Sequence, residues 1–203
     1  AFEQTGTRVP LMISGTIEPT GTMLAGQNVE ALYASLTHLE ENLGLISIGL
    51  NCATGPEFMT DHLRALSDLA TCHVSVYPNA GLPDENGHYA ESPDSLAQKL
   101  SRFVDEGWLN IIGGCCGTSP AHIAAIATMA AGHAPRKPVS TRRKLISGIE
   151  PLFIEDDNRP ILVGERTNVI GSRKFKNMIV AGQFEEAAEI PRAQVKTGAQ
   201  VID

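Results

Sequence analysis

Three cysteines stand in turns that follow short apolar runs, and their thiols are the groups in this sequence best suited to chemistry. Cys115 and Cys116 are adjacent in the glycine-rich turn 113–117, and Cys52 follows an earlier apolar run. Zinc favours thiolate ligands in four-coordinate sites, and a catalytic zinc site keeps one position open for substrate. We therefore interpret Cys52, Cys115 and Cys116 as ligands of one zinc ion that activates a substrate thiol.

Other interpretations of these cysteines remain open from the spacing alone. The pair Cys115 and Cys116 also fits a vicinal disulfide or a redox role, and the spacing matches no zinc finger. Gly113 and Gly114 also fit a phosphate-binding turn, although no Lys or Ser follows at P-loop spacing. The fourth cysteine, Cys72, begins an apolar run and is predicted to be a buried filler. The choice between metal and redox chemistry therefore depends on the fold.

The composition is typical of an α/β protein without a membrane span. Of the 203 residues, 42% are hydrophobic, 19% are charged and 19 are glycines. The net charge of -7 argues against a nucleic-acid surface. No apolar run approaches the roughly 18 residues of a membrane helix, and no signal peptide is visible. Because the cysteines form no disulfide pattern and no export signal is visible, we expect the protein to reside in the cytoplasm. From the two ends of the sequence we expect a piece of a longer polypeptide.

Residues 1–133 repeat one unit four times: an apolar strand, a loop and an amphipathic helix. Such repeats form a parallel sheet covered by helices, as a (β/α)8 barrel or a doubly wound sheet, and ligands bind at the carboxyl ends of the strands. Four units make only half of such a barrel, which fits a chain that lacks the front half. The predicted strands are 9–17, 45–50, 73–77 and 109–112, and the predicted helices are 28–43, 56–70, 93–106 and 121–131.

A different pattern follows the fourth helix. Residues 134–158 are rich in Pro, Arg, Lys and Ser and then acidic, which predicts a linker whose basic run is solvated. Residues 159–203 then alternate apolar and helical segments again, which predicts the first units of a second βα domain. Pro191 falls inside the last predicted helix, where it should remove a hydrogen bond and bend the chain.

Several polar groups are predicted near the strand ends. Asn79 follows the third strand, as a turn former or as a substrate contact. Ala53 and Thr54 open a helix, whose free backbone amides would suit a carboxylate. Ser14 and Thr16 end the first strand and are expected to line the site. The histidines on predicted helices and loops are expected to be solvated: His38, His62, His88, His122 and His133.

Three segments together resemble the homocysteine S-methyltransferase family. They are Asn-Cys-Ala-Thr-Gly-Pro at 51–56, Tyr-Pro-Asn-Ala-Gly-Leu-Pro at 77–83 and Gly-Gly-Cys-Cys-Gly at 113–117. The segment Gly-Glu-Arg-Thr-Asn-Val-Ile-Gly-Ser at 164–172 looks like the start of a pterin-binding domain. A homocysteine domain followed by such a domain is similar to the cobalamin-dependent methionine synthases.

The resemblance implies both a fold and a reaction. It implies a partial (β/α)8 TIM barrel, made of the last four βα units, followed by a linker and the first units of a second (β/α)8 barrel. In the first barrel the three cysteines would bind zinc, and the sulfur of homocysteine would take the fourth position. The homocysteine thiolate would accept a methyl group from methylcobalamin, which 5-methyltetrahydrofolate remethylates, with the cobalamin domain elsewhere in the parent chain. Glu165, Thr167 and Asn168 match the folate-side motif, with Asn168 as the expected pterin contact.

The resemblance is incomplete, and two alternatives remain. Because the family's first four barrel strands and the cobalamin module have no counterpart in this sequence, we expect the isolated fragment to be inactive. A cobalamin-independent homocysteine S-methyltransferase, using betaine or S-methylmethionine, is the nearest alternative; segment 164–172 argues against it, since such enzymes need no folate domain. An alternative of another class is a non-catalytic or redox thiol module.

Overall fold

A computed structural model describes residues 2–203, except for the side chains at positions 2, 3, 41 and 42. Contacts between Cα atoms divide the chain into two units, residues 1–151 and 152–203. In the part of the chain that the structure describes, no helix is long and apolar enough to cross a membrane.

The first unit is built on a parallel sheet of four strands in the order β1-β2-β3-β4. This α/β architecture is the predicted one and is compatible with part of a barrel. β3 has the predicted bounds, whereas β1 and β4 are shorter than predicted. At β1 the reason is Pro10, which has no N–H to donate and precedes the first paired residue. The strands are β1 Leu11–Gly15, β2 Leu45–Asn51, β3 His73–Tyr77 and β4 Ile111–Ile112.

The helices of the first unit follow the predicted order, with one interruption. The predicted helix 28–43 is two helices that meet at Thr37, whose hydroxyl donates to the carbonyl of Ala34 (3.1 Å), a contact that bends helices. The side chains of Asn28 and Ser92 cap the helices that follow them. The helices are α1 Phe2–Thr5, α2 Val29–Leu36, α3 His38–Leu43, a 3-10 turn Pro56–Met59, α4 Thr60–Leu69, α5 Pro93–Asp105 and α6 Pro120–Ala130.

The core lies between the sheet and these helices. Alternation along the strands directs one row of aliphatic side chains toward the helices, and burying each of them contributes about 1.5–3 kcal/mol. This packing holds the carboxyl ends of the strands at one edge, where the loops carry the cysteines. Its fully buried members include Ile48, Leu50, Val74 and Val76 from the sheet, and Leu63, Leu66, Leu96 and Leu100 from the helices.

Arg136 corrects the expectation that the basic run after α6 is solvated. It is 4% exposed. Its guanidinium donates to the backbone carbonyls of Ser67 (2.6 Å), Cys72 (3.0 Å) and Ala70. Carbonyls at the C-terminus of a helix lack partners and carry negative partial charge, so they suit a buried cation. Arg136 therefore belongs to the packed structure of the first unit.

The rest of the predicted linker contains short regular elements, and residues 159–203 form two strands and two helices. β5 Leu145–Ser147, β6 Pro151–Phe153 and a 3-10 turn, Asp156–Asn158, lie between residues 134 and 158. β7 Val163–Gly164 pairs in parallel with β8 Val201–Ile202, and α7 Arg173–Val180 and α8 Phe184–Lys196 connect them. Pro191 lies inside α8. This strand–helix alternation is the predicted order for the second unit.

Candidate metal centre

Cys52 sits where the backbone turns sharply at the end of β2. Its amide donates to the carbonyl of Tyr77 at the end of β3 (2.9 Å). Cys52 and Ala53 have φ angles of 59° and 50°. Non-glycine residues rarely adopt this left-handed region, and each one costs about 1–3 kcal/mol of strain. Backbone strain is thus concentrated at one of the candidate ligands.

The end of β3 acts as a template for the turn that carries the other two thiols. The amide of Cys115 donates to the carbonyl of Pro78 (2.8 Å), and the amide of Ala80 donates to the carbonyl of Cys116 (2.9 Å). Between them, the side-chain oxygen of Asn79 accepts from the amide of Cys116 (3.1 Å). Three hydrogen bonds therefore fix the turn of adjacent cysteines against the neighbouring loop.

Two glycines allow this turn to pack closely against its neighbours. Gly117 has a φ of 79°, and a Cβ added there would lie 2.3 Å from Cγ of Tyr89. A Cβ at Gly114 would lie 2.4 Å from a methyl of Thr118. Any side chain at either position would require its neighbour to move, so glycine is needed at both.

The three thiols lie at distances that suit one zinc ion. The sulfurs of Cys52 and Cys116 are 3.4 Å apart, and those of Cys115 and Cys116 are 3.9 Å apart. A tetrahedral zinc with Zn–S bonds of about 2.3 Å places its sulfurs about 3.8 Å apart. A disulfide requires about 2.05 Å, so the cysteines are free thiols. All three sulfurs lie within 4.8 Å of one another, in a cluster able to hold a metal ion.

The thiols differ in their tendency to ionise. Burial opposes ionisation of Cys52, but interactions with the other two thiols and with the Ala53 amide lower its pKa. Burial, and then the neighbouring Cys52 and Cys116, raise the pKa of Cys115 to about 11. Burial also raises the pKa of Cys72 to about 12, which fits its predicted role as a filler. A divalent cation would favour the thiolate form of all three clustered groups.

The structure places the predicted polar residues around the cluster in two groups. Thr54 is 1% exposed, and its carbonyl accepts from the amide of Asn79 (3.3 Å). Ser14 donates to the side-chain oxygen of Asn51 (2.6 Å), and the Asn51 amide donates to Thr16 (3.4 Å). Asn51 escaped the sequence analysis, although it directly precedes Cys52 at a strand end. It connects the predicted pair on β1 to the strand that carries the ligand.

His122 contradicts the prediction that the histidines are solvated. It is 7% exposed. Its Nδ1 accepts from the amide of Ser119 (3.1 Å), and its Nε2 lies 3.0 Å from the carbonyl of Glu91. These partners indicate that the proton resides on Nε2. Its position three residues after an N-cap serine was a signal for this capping box. His122 thereby ties the helix after the cysteine turn to the loop before α5.

In the second unit, two of the three predicted folate-side residues contact Asp203, which follows β8. The hydroxyl of Thr167 donates to the carbonyl of Asp203 (2.5 Å), and the side-chain amide of Asn168 donates to the Asp203 carboxylate (2.6 Å). The Asn168 oxygen accepts from the amide of Ile170 (3.1 Å). Glu165 is exposed. The sequence analysis missed Asp203, although an acid at a strand end is a recognisable signal.

Comparison with known families agrees with the cysteine geometry. The family model described as homocysteine S-methyltransferase matches residues 1–130, well over half of the chain. The match includes all three clustered cysteines and the whole four-stranded sheet. The chain therefore belongs to the homocysteine S-methyltransferase family.

Proposed function

We propose that the first unit is the zinc-binding part of an enzyme that methylates the sulfur of homocysteine. Family membership supports homocysteine as the methyl acceptor. The observation that carries the zinc assignment is the cluster of three thiols from two strand ends, with sulfur separations close to those of a tetrahedral site. Three protein thiolates leave the fourth position for the substrate sulfur.

The residues at this site have distinct proposed roles in holding the zinc and orienting its ligands. Cys52, Cys115 and Cys116 would hold the zinc, which lowers the pKa of a joining thiol and so presents it as a thiolate at neutral pH. Asn79 fixes the amide of Cys116 and so orients that ligand. The strained turn at Ala53 orients Cys52. A preformed arrangement of this kind avoids rearranging the ligands when substrate arrives.

We assign the substrate contacts to polar groups beside the cluster. The loop that carries Ala53 and Thr54 precedes the 3-10 turn that begins at Pro56, where backbone amides suit the substrate carboxylate. Ser14 and Thr16 hydrogen-bond to Asn51, the residue before Cys52. Asn79 completes the proposed set.

We further propose that methylcobalamin donates the methyl group and that 5-methyltetrahydrofolate replenishes it. The motif at 164–172 and the gathering of Thr167 and Asn168 at Asp203 support a folate site in the second unit. Glu165 belongs to the same proposed site. Methylcobalamin would be bound by a cobalamin domain of the same parent polypeptide, in the cytoplasm.

Zinc content tests the proposal. One zinc per chain is expected in the unmodified protein, measured by atomic emission after removal of loosely bound metal. Cys116→Ala should lose it, whereas Cys72→Ala should keep it, because Cys72 is buried and outside the cluster. X-ray absorption should show three sulfurs around zinc, and a fourth after homocysteine is added. A zinc-free preparation with a Cys115–Cys116 disulfide would contradict the proposal and favour the redox module.

The methyl donor is tested in the parent polypeptide. Methionine should form from homocysteine and 5-methyltetrahydrofolate only when cobalamin is present, and Asn168→Ala should lower that rate while zinc content stays at one per chain. Methionine formed from betaine or S-methylmethionine without cobalamin would support the cobalamin-independent alternative instead.

A further inference from the structure

Lys99 joins two of the loops that follow the strands of the sheet. It lies in the middle of α5, and its ammonium nitrogen is 2.7 Å from a carboxylate oxygen of Glu57 and also contacts the carboxylate of Glu91. Glu57 stands in the 3-10 turn that follows the loop of Cys52, and Glu91 lies near the end of the loop between β3 and α5. A single cation therefore lies between the carboxylates of two separate loops.

This cluster differs from an ordinary ion pair on a surface, which contributes little to stability. The side chain of Glu91 is only 12% exposed, and its carboxylate also accepts from the hydroxyl of Ser95. The helix that carries Lys99 is itself fixed, because its Leu96 and Leu100 are fully buried in the core. Lys99 therefore extends from a rigid helix toward one partner that is largely withdrawn from water.

The two loops also approach each other closely beside this cluster. A Cβ added to Gly55 would lie 3.2 Å from the Glu57 carboxylate and 3.4 Å from Cα of Gly81. A Cβ added to Gly81 would lie 3.6 Å from Cβ of Glu91. The backbones of the two loops thus pack against each other where the carboxylates that contact Lys99 lie, so a shift of either carboxylate would disturb this packing.

The two carboxylates would oppose this packing if no cation lay between them. Glu57 and Glu91 contact the same nitrogen, so they are near neighbours, and like charges at such a separation repel each other. Loss of the ammonium group would remove two attractive contacts and leave this repulsion. The charge of Lys99 therefore favours the close approach of the loops.

The loop that leads to Glu57 carries the groups assigned above to the substrate carboxylate. Ala53 and Thr54 lie in it, and the carbonyl of Thr54 accepts from the amide of Asn79 in the neighbouring loop (3.3 Å), which is longer than most N–H···O bonds. A loop that is already held in its binding conformation gains affinity, because ordering it costs nothing when the ligand arrives. A second link between the loops would therefore strengthen substrate binding.

We propose that Lys99 is a positioning residue for substrate binding. It holds the loop of residues 52–57 against the loop of residues 78–91, so that the backbone amides near Ala53 and Thr54 are preorganised for the carboxylate of homocysteine. This role rests on the proposed function. Lys99 acts through Glu57 and Glu91.

Calorimetric titration of the zinc-loaded chain with homocysteine tests this role. Lys99→Met should weaken homocysteine binding about tenfold, the lower end of the loss seen when groups that orient site residues are removed. Zinc should stay at one per chain, because the three thiols remain. Lys99→Arg should restore the affinity, since a guanidinium can contact both carboxylates.

Arg102→Met is the matched control, because it removes an exposed cation one turn further along α5. It should leave the affinity for homocysteine unchanged. An equal loss in Arg102→Met would show that only the overall charge of the helix matters, and would overturn the proposal. A Lys99→Met chain that binds homocysteine as tightly as the unmodified chain would overturn it as well.

Hydrogen exchange of the zinc-free chain separates this inference from the proposed function. In Lys99→Met, the amides of residues 52–60 and 78–91 should exchange about tenfold faster, the effect of losing one hydrogen bond to a charged group, while those of β3 keep their rate. A chain that binds neither zinc nor homocysteine would refute the proposed function and still permit this measurement. Unchanged exchange in both loops, or equal acceleration in β3, would overturn the positioning role.

Discussion

At the scale of single residues, Asn79 connects the loop after β3 to a candidate metal ligand. It is 4% exposed, and its side-chain oxygen accepts from the amide of Cys116 (3.1 Å). Its own amide donates to Thr54 in the loop that follows Cys52 (3.3 Å). Asn79 therefore contacts both loops that supply thiols, with its side chain at Cys116 and its backbone N–H at Thr54. Its loss should loosen the relative positions of the ligands more than the sheet beneath them.

Asn79→Ala should lower zinc affinity by about 10–100-fold, the range measured when groups that orient metal ligands are removed. Competition with a chromophoric chelator measures this affinity. Asn110→Ala is the matched control, because Asn110 also makes buried hydrogen bonds, to Val74 and Arg136, but at the opposite end of the strands. The control should lower stability and leave zinc affinity unchanged. Equal losses of zinc affinity would show that Asn79 acts only through folding.

The sequence predicted which residues gather at the site better than how they are held. Cys52, Cys115 and Cys116 were predictable as neighbours because the carboxyl ends of parallel strands share one edge of a sheet. The contacts of Tyr89 and His122 were not predictable, since they depend on how separate loops pack on one another. The left-handed backbone at Cys52 gives no signal either, because non-glycine residues rarely adopt it.

At the scale of elements, the connection after α6 stabilises the edge of the sheet where the amino ends of the strands lie. Arg136 donates to carbonyls at the end of α4 and in the turn before β3. Its backbone amide also donates to the carbonyl of Leu109, just before β4 (2.9 Å). Burial lowers the pKa of this guanidinium, and the nearby Cys72, Tyr33 and Asp68 side chains act in the opposite direction. One residue from the predicted linker thus braces a helix and two strands.

Arg136→Met should reduce the free energy of unfolding of the first unit by about 3 kcal/mol, because buried carbonyls lose charge-assisted hydrogen bonds. Urea denaturation followed by the fluorescence of Trp108, which stacks on buried Phe103, measures the change. Lys137→Met is the control at the next, exposed position and should stay within about 0.5 kcal/mol of the unmodified protein. Equal effects of the two changes would contradict the bracing role.

The elements themselves were largely predictable, and the exceptions have local causes. Hydrophobic alternation and the capping residues predicted the order of strands and helices in the first unit. The interruption at Thr37 depends on one hydroxyl that bonds back to the helix, and composition does not show it. The burial of Arg136 depends on tertiary packing, because a basic residue between prolines is otherwise typical of an exposed connector.

At the scale of the whole molecule, the two units differ in their candidate metal ligands and in their fluorescent side chains. The three clustered thiols all belong to the first unit, 1–151. The single tryptophan and the three tyrosines also fall there, at Trp108, Tyr33, Tyr77 and Tyr89. Fluorescence of the unmodified chain therefore follows the unfolding of the unit that carries the proposed zinc site, and is silent for the second.

Zinc should stabilise the first unit in proportion to its occupancy. A ligand that binds only the folded state at 100 times its Kd adds about 2.7 kcal/mol to the free energy of unfolding. The urea midpoint read by Trp108 should therefore rise when zinc is added. Cys72→Ala should keep this rise and Cys52→Ala should lose it.

A reporter in α7, made by combining Trp108→Phe with Phe175→Trp, should show no rise in the urea midpoint, because the second unit supplies none of the clustered thiols. A rise that persists in Cys52→Ala would place the zinc elsewhere, and equal rises at both reporters would mean that the two units unfold as one.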